Sequence, residues 1–176
     1  MNYSLAALVT AVLLGSVSGC SSAKVYQSKV DPLALQQMQT QEFETSKKIL
    51  FAATISVFQD TGFTIEAADL ESGVITAKSA TTTVAAGFGA SGAPTNSVFI
   101  KATAFLEDTR PNYAKVRLNY IESRGWQGNG SGGMNEIPNE LPSYYEKVFN
   151  KIREGVFMRE ANKATAPAKS ATEISK

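Results

Sequence analysis

Apolar and polar positions change their period several times along the chain, and each change marks an element. Residues 5–14, LAALVTAVLL, form an unbroken uncharged apolar run. Residues 21–42 show no clean period and contain Asp31-Pro32, so they read as a tether with a short helical turn near Leu33–Met38. Over about 45–61 the period becomes helical: Leu50, Ala53, Val57 and Phe58 share a face that Phe51 and Ile55 widen. Gly62 suits the left-handed position after a helix, and Phe63 can then pack back on Phe58.

Period two then takes over. Phe63–Ala67 reads as a strand, Asp69–Gly73 as a turn and Gly73–Ser79 as the hairpin partner. Residues 81–97, with Gly87, Gly89, Gly92 and Pro94, read as a flexible connection. Val98, Ile100, Ala102, Ala104 and Leu106 share one face of a third strand, and Ala114, Val116, Leu118 and Tyr120 one face of a fourth. Asp108–Asn112 supplies the turn that makes these two an antiparallel hairpin. A second Gly-rich loop, Gly125–Gly133, leads toward a closing helix over about 143–160. Ser143-Tyr-Tyr-Glu146 matches a capping box just after Pro142, and Tyr145, Val148, Phe149, Ile152 and Val156 form the helix's buried stripe. From Ala161 the chain is polar and rich in Ala, Lys, Pro and Ser, the composition of a disordered tail.

The order helix, four strands, helix predicts an α+β fold. Specifically, it predicts a two-layer sandwich in which both helices cover one face of a four-stranded antiparallel sheet. A single domain is expected over 43–160, with 20–42 as tether and 161–176 as tail.

The N-terminal run is shorter than the roughly 20 apolar residues a spanning helix needs. GSVSG follows it, then Cys20, which fits the apolar region of a secretory signal closed by small residues. The competing reading is a buried helix with Cys20 as a core thiol. Val17-Ser18-Gly19-Cys20 resembles the lipobox of bacterial lipoproteins, although Met1–Ser4 lacks the usual basic side chain. The resemblance implies that residues 1–19 are a signal peptide that is removed and that Cys20 is the lipidation site. Each buried methylene contributes about 0.8 kcal/mol, so more than one acyl chain gives a stable anchor. Ser21 stands where an inner-membrane retention signal typically places Asp, which implies sorting to the outer membrane with the domain facing the periplasm. Gly62-Phe63-Thr64-Ile65 and Gly73-Val74-Ile75-Thr76 are also similar to a helix–hairpin motif in another protein: the lipoprotein of the outer-membrane β-barrel assembly machine, in its small α+β domains. That resemblance implies kinship of fold and not of function.

Composition narrows the chemistry. With 17 basic and 16 acidic side chains the net charge is +1, which provides no field to gather nucleic acid. One cysteine allows no internal disulfide. The absence of histidine removes the commonest general base and zinc ligand, and with it serine–histidine and cysteine–histidine nucleophiles. Carboxylates cluster at turns (Glu66, Asp69, Glu71; Glu107, Asp108), where they read as solvated residues and not as an acid–base pair across a cleft. Neither Gly-rich loop leads from a strand directly into a helix N-terminus, so neither reads as a phosphate cradle. No cofactor and no metal is expected.

What remains is surface. Lys78, Lys101, Lys115 and Arg117 fall opposite the apolar positions of their strands, either as an ordinary solvated sheet face or as a weakly basic docking face for an anionic partner. Trp126, beside Arg124 in a Gly-rich segment, either folds onto the sheet edge or anchors a partner. The reading is a non-catalytic outer-membrane lipoprotein, held to the membrane by its lipid and serving as adaptor or structural accessory in an envelope protein assembly for outer-membrane assembly, secretion or efflux. The alternative is a periplasmic module that binds a small apolar ligand or lipid in a pocket lined by Ile100, Ala102, Val116 and Leu118.

Overall fold

The computed structural model describes residues 30–85, 95–128 and 131–165. The expected signal peptide (1–19), Cys20, the glycine-rich part of the expected connection (86–94) and residues 166–176 lie outside them. Three helices and seven strands are described: α1 Pro32–Met38, β1 Thr40–Phe43, α2 Lys47–Asp60, β2 Phe63–Asp69, β3 Val74–Ser79, β4 Thr82–Ala85, β5 Thr95–Arg110, β6 Tyr113–Gly128, β7 Ser131–Pro138 and α3 Pro142–Thr165. The fold is α+β, with every strand pair antiparallel in one sheet.

The four strands expected from the period-two pattern are neighbours in the order β2-β3-β5-β6, but the sheet has seven strands and not four. The extra length comes from β5 and β6, which run 16 residues each. Each outlasts its first partner and is paired further along by a second one. β3 covers the middle of β5 and β4 its start; β1 covers the beginning of β6 and β7 its end. The connection expected from residue 81 onward therefore begins as a strand, and the loop expected at Gly125–Gly133 is mostly paired backbone. β4 is only four residues long, too short to establish a period, and glycine-rich composition hid β7. Without Cβ atoms a strand has no alternation to read, yet its amide and carbonyl groups pair as usual.

Local chemistry accounts for the element ends. Ser46 caps α2, its hydroxyl accepting from Ile49 N at 3.4 Å. Gly62 follows at φ +86°, and Phe63 packs on Phe58 with ring centroids 5.9 Å apart, as the helix-end pattern predicted. Asp69 shapes the next turn: its carboxylate accepts from Glu71 N (3.1 Å) and Ser72 N (3.3 Å), and the Ser72 side chain together with these two bonds lowers its pKa. In the β5–β6 hairpin the turn is tighter than expected. Pro111 and Asn112 alone connect Arg110 to Tyr113, with Asn112 at φ +62°. The helix α3 begins at Pro142, one residue earlier than expected. Ser143 sits inside its first turn and not at the cap, so the capping-box assignment was wrong; Pro at the first helical position sets the start instead.

Residues 32–42, expected as part of the tether with a short helical turn near Leu33–Met38, form α1 and most of β1, which ends at Phe43. Asp31 caps α1 through Leu33 N (2.9 Å) and Ala34 N (3.2 Å), and Phe43 is buried in the core. At the other end α3 runs on through Thr165, past the expected end of the domain near residue 160.

The core is one cluster. It joins Leu50, Ala53, Val57 and Phe58 of α2 to the inward residues of β3, β5 and β6 and to all five residues of the predicted α3 stripe. The small side chains Ala77, Ala102, Ala104 and Ala114 face the helices, and Tyr120, Tyr145 and Phe58 fill the space above them. A bulge at Glu66, between Ile65 and Ala67, shifts the alternation of β2 so that residues on both sides of it keep their register with β3.

Candidate functional site

The sheet has two faces with different fates. On the face turned from the helices, cross-strand pairing places Lys101 between Lys78 and Ile121, Phe105 beside Arg117, and Glu107 beside Lys115. The four basic residues picked out in the sequence therefore do share one face. They are not bare charges, however. Lys101 Nζ lies 3.0 Å from Glu136 and Lys115 Nζ 2.7 Å from Glu107. Lys78 Nζ stands 4.1 Å from the centroid of Phe99, with Lys101 5.9 Å away on the same ring. Phe99 points away from the helices yet is buried, because lysine stems roof it; alternation marks it as an apolar residue on the polar face but does not show that it is buried.

Arg117 is held differently. Its Nη2 donates to Gln39 Oε1 (3.3 Å), and the Gln39 amide donates in turn to the Tyr145 hydroxyl (3.3 Å), which donates to Asn139 O (3.0 Å). A relay thus crosses the sheet edge from the open face to the N-terminal turn of α3. Gln39 is buried, so the cost of leaving its amide unpaired keeps the relay in place. Around Arg117 an open depression of about 370 Å³ is lined by Leu35, Gln39, Thr103, Phe105, Asn119, Ile121 and Pro138. Phe105 is 44% exposed at its floor. Gln39, Phe105 and Leu35 went unnoticed in the sequence. An apolar residue at an odd position of a strand does carry a signal, and Phe105 broke the polar series on its face.

Trp126 lies elsewhere. It belongs to the face that carries the helices, in the cross-strand row Asn96–Trp126–Gly133, beyond the last row of the core cluster. The next row is Val98–Arg124–Asn135. A Cβ on Gly133 would come within 2.8 Å of the Trp126 Nε1 and 3.1 Å of Cε2, so the indole lies across the neighbouring strand in space that only glycine leaves open. The ring is nonetheless 46% exposed. One side of the ring therefore packs on the neighbouring strand, while much of the rest meets solvent. Glu122 Oε1 accepts from Arg124 Nε, which raises the guanidinium pKa further. Asn96, Val98, Glu122, Arg124, Gly125, Trp126 and Asn135 line a second open depression of about 370 Å³.

The pocket expected between sheet and helices along Ile100, Ala102, Val116 and Leu118 is filled: the last three are buried in the core cluster and Ile100 packs against it. Among the described residues no group of three His, Cys, Asp or Glu side chains is placed to hold a metal ion, and no helix is long and apolar enough to cross a membrane. Cys20 lies outside the described residues.

No family model matches the chain, and no curated protein matches its sequence. A solved DUF4468 family protein from Bacteroides ovatus is similar over 74% of this chain and 87% of its own, at 14% identity and a TM-score of 0.30. At that level of superposition neither fold nor role passes from one to the other.

Proposed function

We propose that this chain is an outer-membrane lipoprotein, anchored through acyl groups on Cys20 after removal of residues 1–19, whose domain faces the periplasm. The domain acts without catalysis, as adaptor or structural accessory in an envelope protein assembly. Its working architecture is a two-layer sandwich, α2 and α3 over the four central strands, which leaves the second sheet face free for contact. The observation that carries the reading is that face: Phe105 is 44% exposed beside Arg117 in an open depression, on the side away from both long helices. Lys78, Lys101, Lys115 and Arg117 frame the contact surface. Phe105 supplies an apolar centre and the charged residues a polar rim, the usual arrangement of an interface. Trp126, on the opposite face, is a separate contact. The filled core favours this reading over a ligand pocket between sheet and helices.

The mechanism is local concentration, in which the anchor confines the domain to a surface and the tether sets its reach. α1 begins at Pro32, which shortens the span available for that tether to residues 21–31. Fully extended, about 11 residues reach roughly 36–40 Å, so the domain stays close to the bilayer. The test is crosslinking followed by affinity purification from intact membranes, comparing the wild type with two variants. Cys20→Ala should release the protein from the membrane fraction. The Lys101→Glu, Lys115→Glu, Arg117→Glu triple variant should stay anchored but lose the crosslinked partner. Identical crosslinked species from the wild type and the triple variant would remove the sheet face from the mechanism. Retention of Cys20→Ala in the membrane fraction would remove the anchor.

A further inference from the structure

We infer that the depression around Trp126 is a binding site for one pyranose unit of an uncharged glycan. The argument starts from the ring. An indole face is an apolar, electron-rich plane, and the face of a pyranose that presents axial C–H groups is its natural complement. For such stacking the ring must be exposed and held still. Trp126 meets both conditions: it is 46% exposed, and it lies against Gly133, where a methyl group would collide with the indole at 2.8 Å. The sheet fixes the backbone on both sides, since Trp126 pairs with Asn96 on β5 and with Gly133 on β7.

The surroundings supply the hydroxyl partners. Asn96 and Asn135 are exposed and line the depression with Trp126. Each amide presents two donors and an acceptor, the mixed inventory that vicinal hydroxyls require. Arg124 adds guanidinium donors beyond the Nε held by Glu122. Val98 is the aliphatic lining residue, so little of the site suits an apolar peptide.

Charge and size narrow the class. The one cation, Arg124, is paired with the one carboxylate, Glu122, so the site is neutral and gives a phosphate or uronate no net attraction. Its volume of about 370 Å³ has room for one sugar ring. One ring with two flanking amides matches one sugar unit with neighbours extending into solvent on either side.

Trp126 is the chain's sole tryptophan, so its emission reports the site directly. The full chain would be titrated with the tetraoses of β-1,4-linked N-acetylglucosamine, β-1,4-linked glucose and α-1,4-linked glucose. At least one should shift the emission to shorter wavelength and saturate, and which one responds identifies the glycan source. Calorimetry with the responding tetraose should show Trp126→Phe within about tenfold of the wild type. Trp126→Ala and Asn135→Ala should each weaken binding at least tenfold while the melting temperature stays unchanged. Gly133→Ala should alter the emission of the free protein and weaken binding likewise. No saturable response to any of the three sugars overturns the inference, as does undiminished binding by Trp126→Ala. A response that Asn135→Ala leaves intact overturns the assignment of the amide.

Discussion

Two glycines at positive φ show how much a single residue carries here and how unequal similar-looking positions are. Gly62 (φ +86°) closes α2 and Gly73 (φ +78°) closes the β2–β3 turn. A side chain at Gly62 would meet nothing within 4 Å, whereas a Cβ at Gly73 would sit 2.0 Å from the Leu106 carbonyl oxygen. That carbonyl belongs to the backbone of β5, and Leu106 N donates to Gly73 O at 2.8 Å, so the neighbour has no room to retreat. Gly62→Ala should therefore cost about 1–2 kcal/mol, the left-handed penalty alone. Gly73→Ala should cost at least about 3 kcal/mol, since the strand contact must also break. Urea denaturation of the two variants checks this, and equal midpoints would refute it. Both glycines were legible as turn positions from sequence. Their difference was not, because it depends on β5, which lies more than 20 residues away in the chain.

At the scale of elements, whatever had its own period was legible and whatever borrowed its structure from a neighbour was not. The predicted stripes of α2 and α3 and the inward faces of β5 and β6 are in the core or packed against it, except Val98, which lines the depression beside Trp126. β1 was missed because a four-residue element carries too few positions to establish a period, and α1 was read only as a short helical turn within the tether. They form because β6 offers an open edge, where Leu118 N donates to Gln39 O at 2.8 Å. The end of α3 was cut short for a related reason: its last turns are polar and are held by specific bonds. Arg159 Nη2 donates to Ser56 Oγ (2.7 Å) and Ala52 O (3.2 Å) on α2, and Thr45 Oγ1 donates to Glu160 Oε1 (2.6 Å). Removing the guanidinium by Arg159→Ala deletes its two bonds to α2 and should cost about 1–2 kcal/mol. Hydrogen exchange should localise the loss, with amides after Val156 losing protection before the rest of α3. If exchange there matches the wild type, the clamp is not what holds the helix end.

At the scale of the whole molecule, one aromatic knot ties both long helices to the sheet and makes their stability common property. Tyr120 on β6 has Phe58, Phe63, Tyr144 and Tyr145 around it at centroid distances of 6.1, 6.0, 4.8 and 5.8 Å, with Phe58 from α2 and both tyrosines from α3. Burial raises the pKa of Tyr120 far above its ordinary value of 10.0, and raises those of Tyr144 and Tyr145 as well. The sign of the linkage follows. An unfolded chain ionises these phenols near pH 10, while the folded one keeps them neutral, so their contribution to stability is intact below pH 10 and is lost as pH rises beyond it. Alkali should thus act as a denaturant of the whole core. Phenolate absorbance from Tyr120, Tyr144 and Tyr145 should appear together with the loss of helical circular dichroism, in a single transition, because no helix can leave without opening the knot. Tyr120→Phe keeps the ring contacts and removes the ionisable hydroxyl, so it should move that transition to higher pH. Trp126, outside the knot, supplies an independent probe whose emission should follow the same transition if β5 and β6 unfold along their whole length. Separate transitions in dichroism, absorbance and emission would mean that the extended sheet end and the helix-covered core are distinct cooperative units, and the long strands would then join two structures and not one.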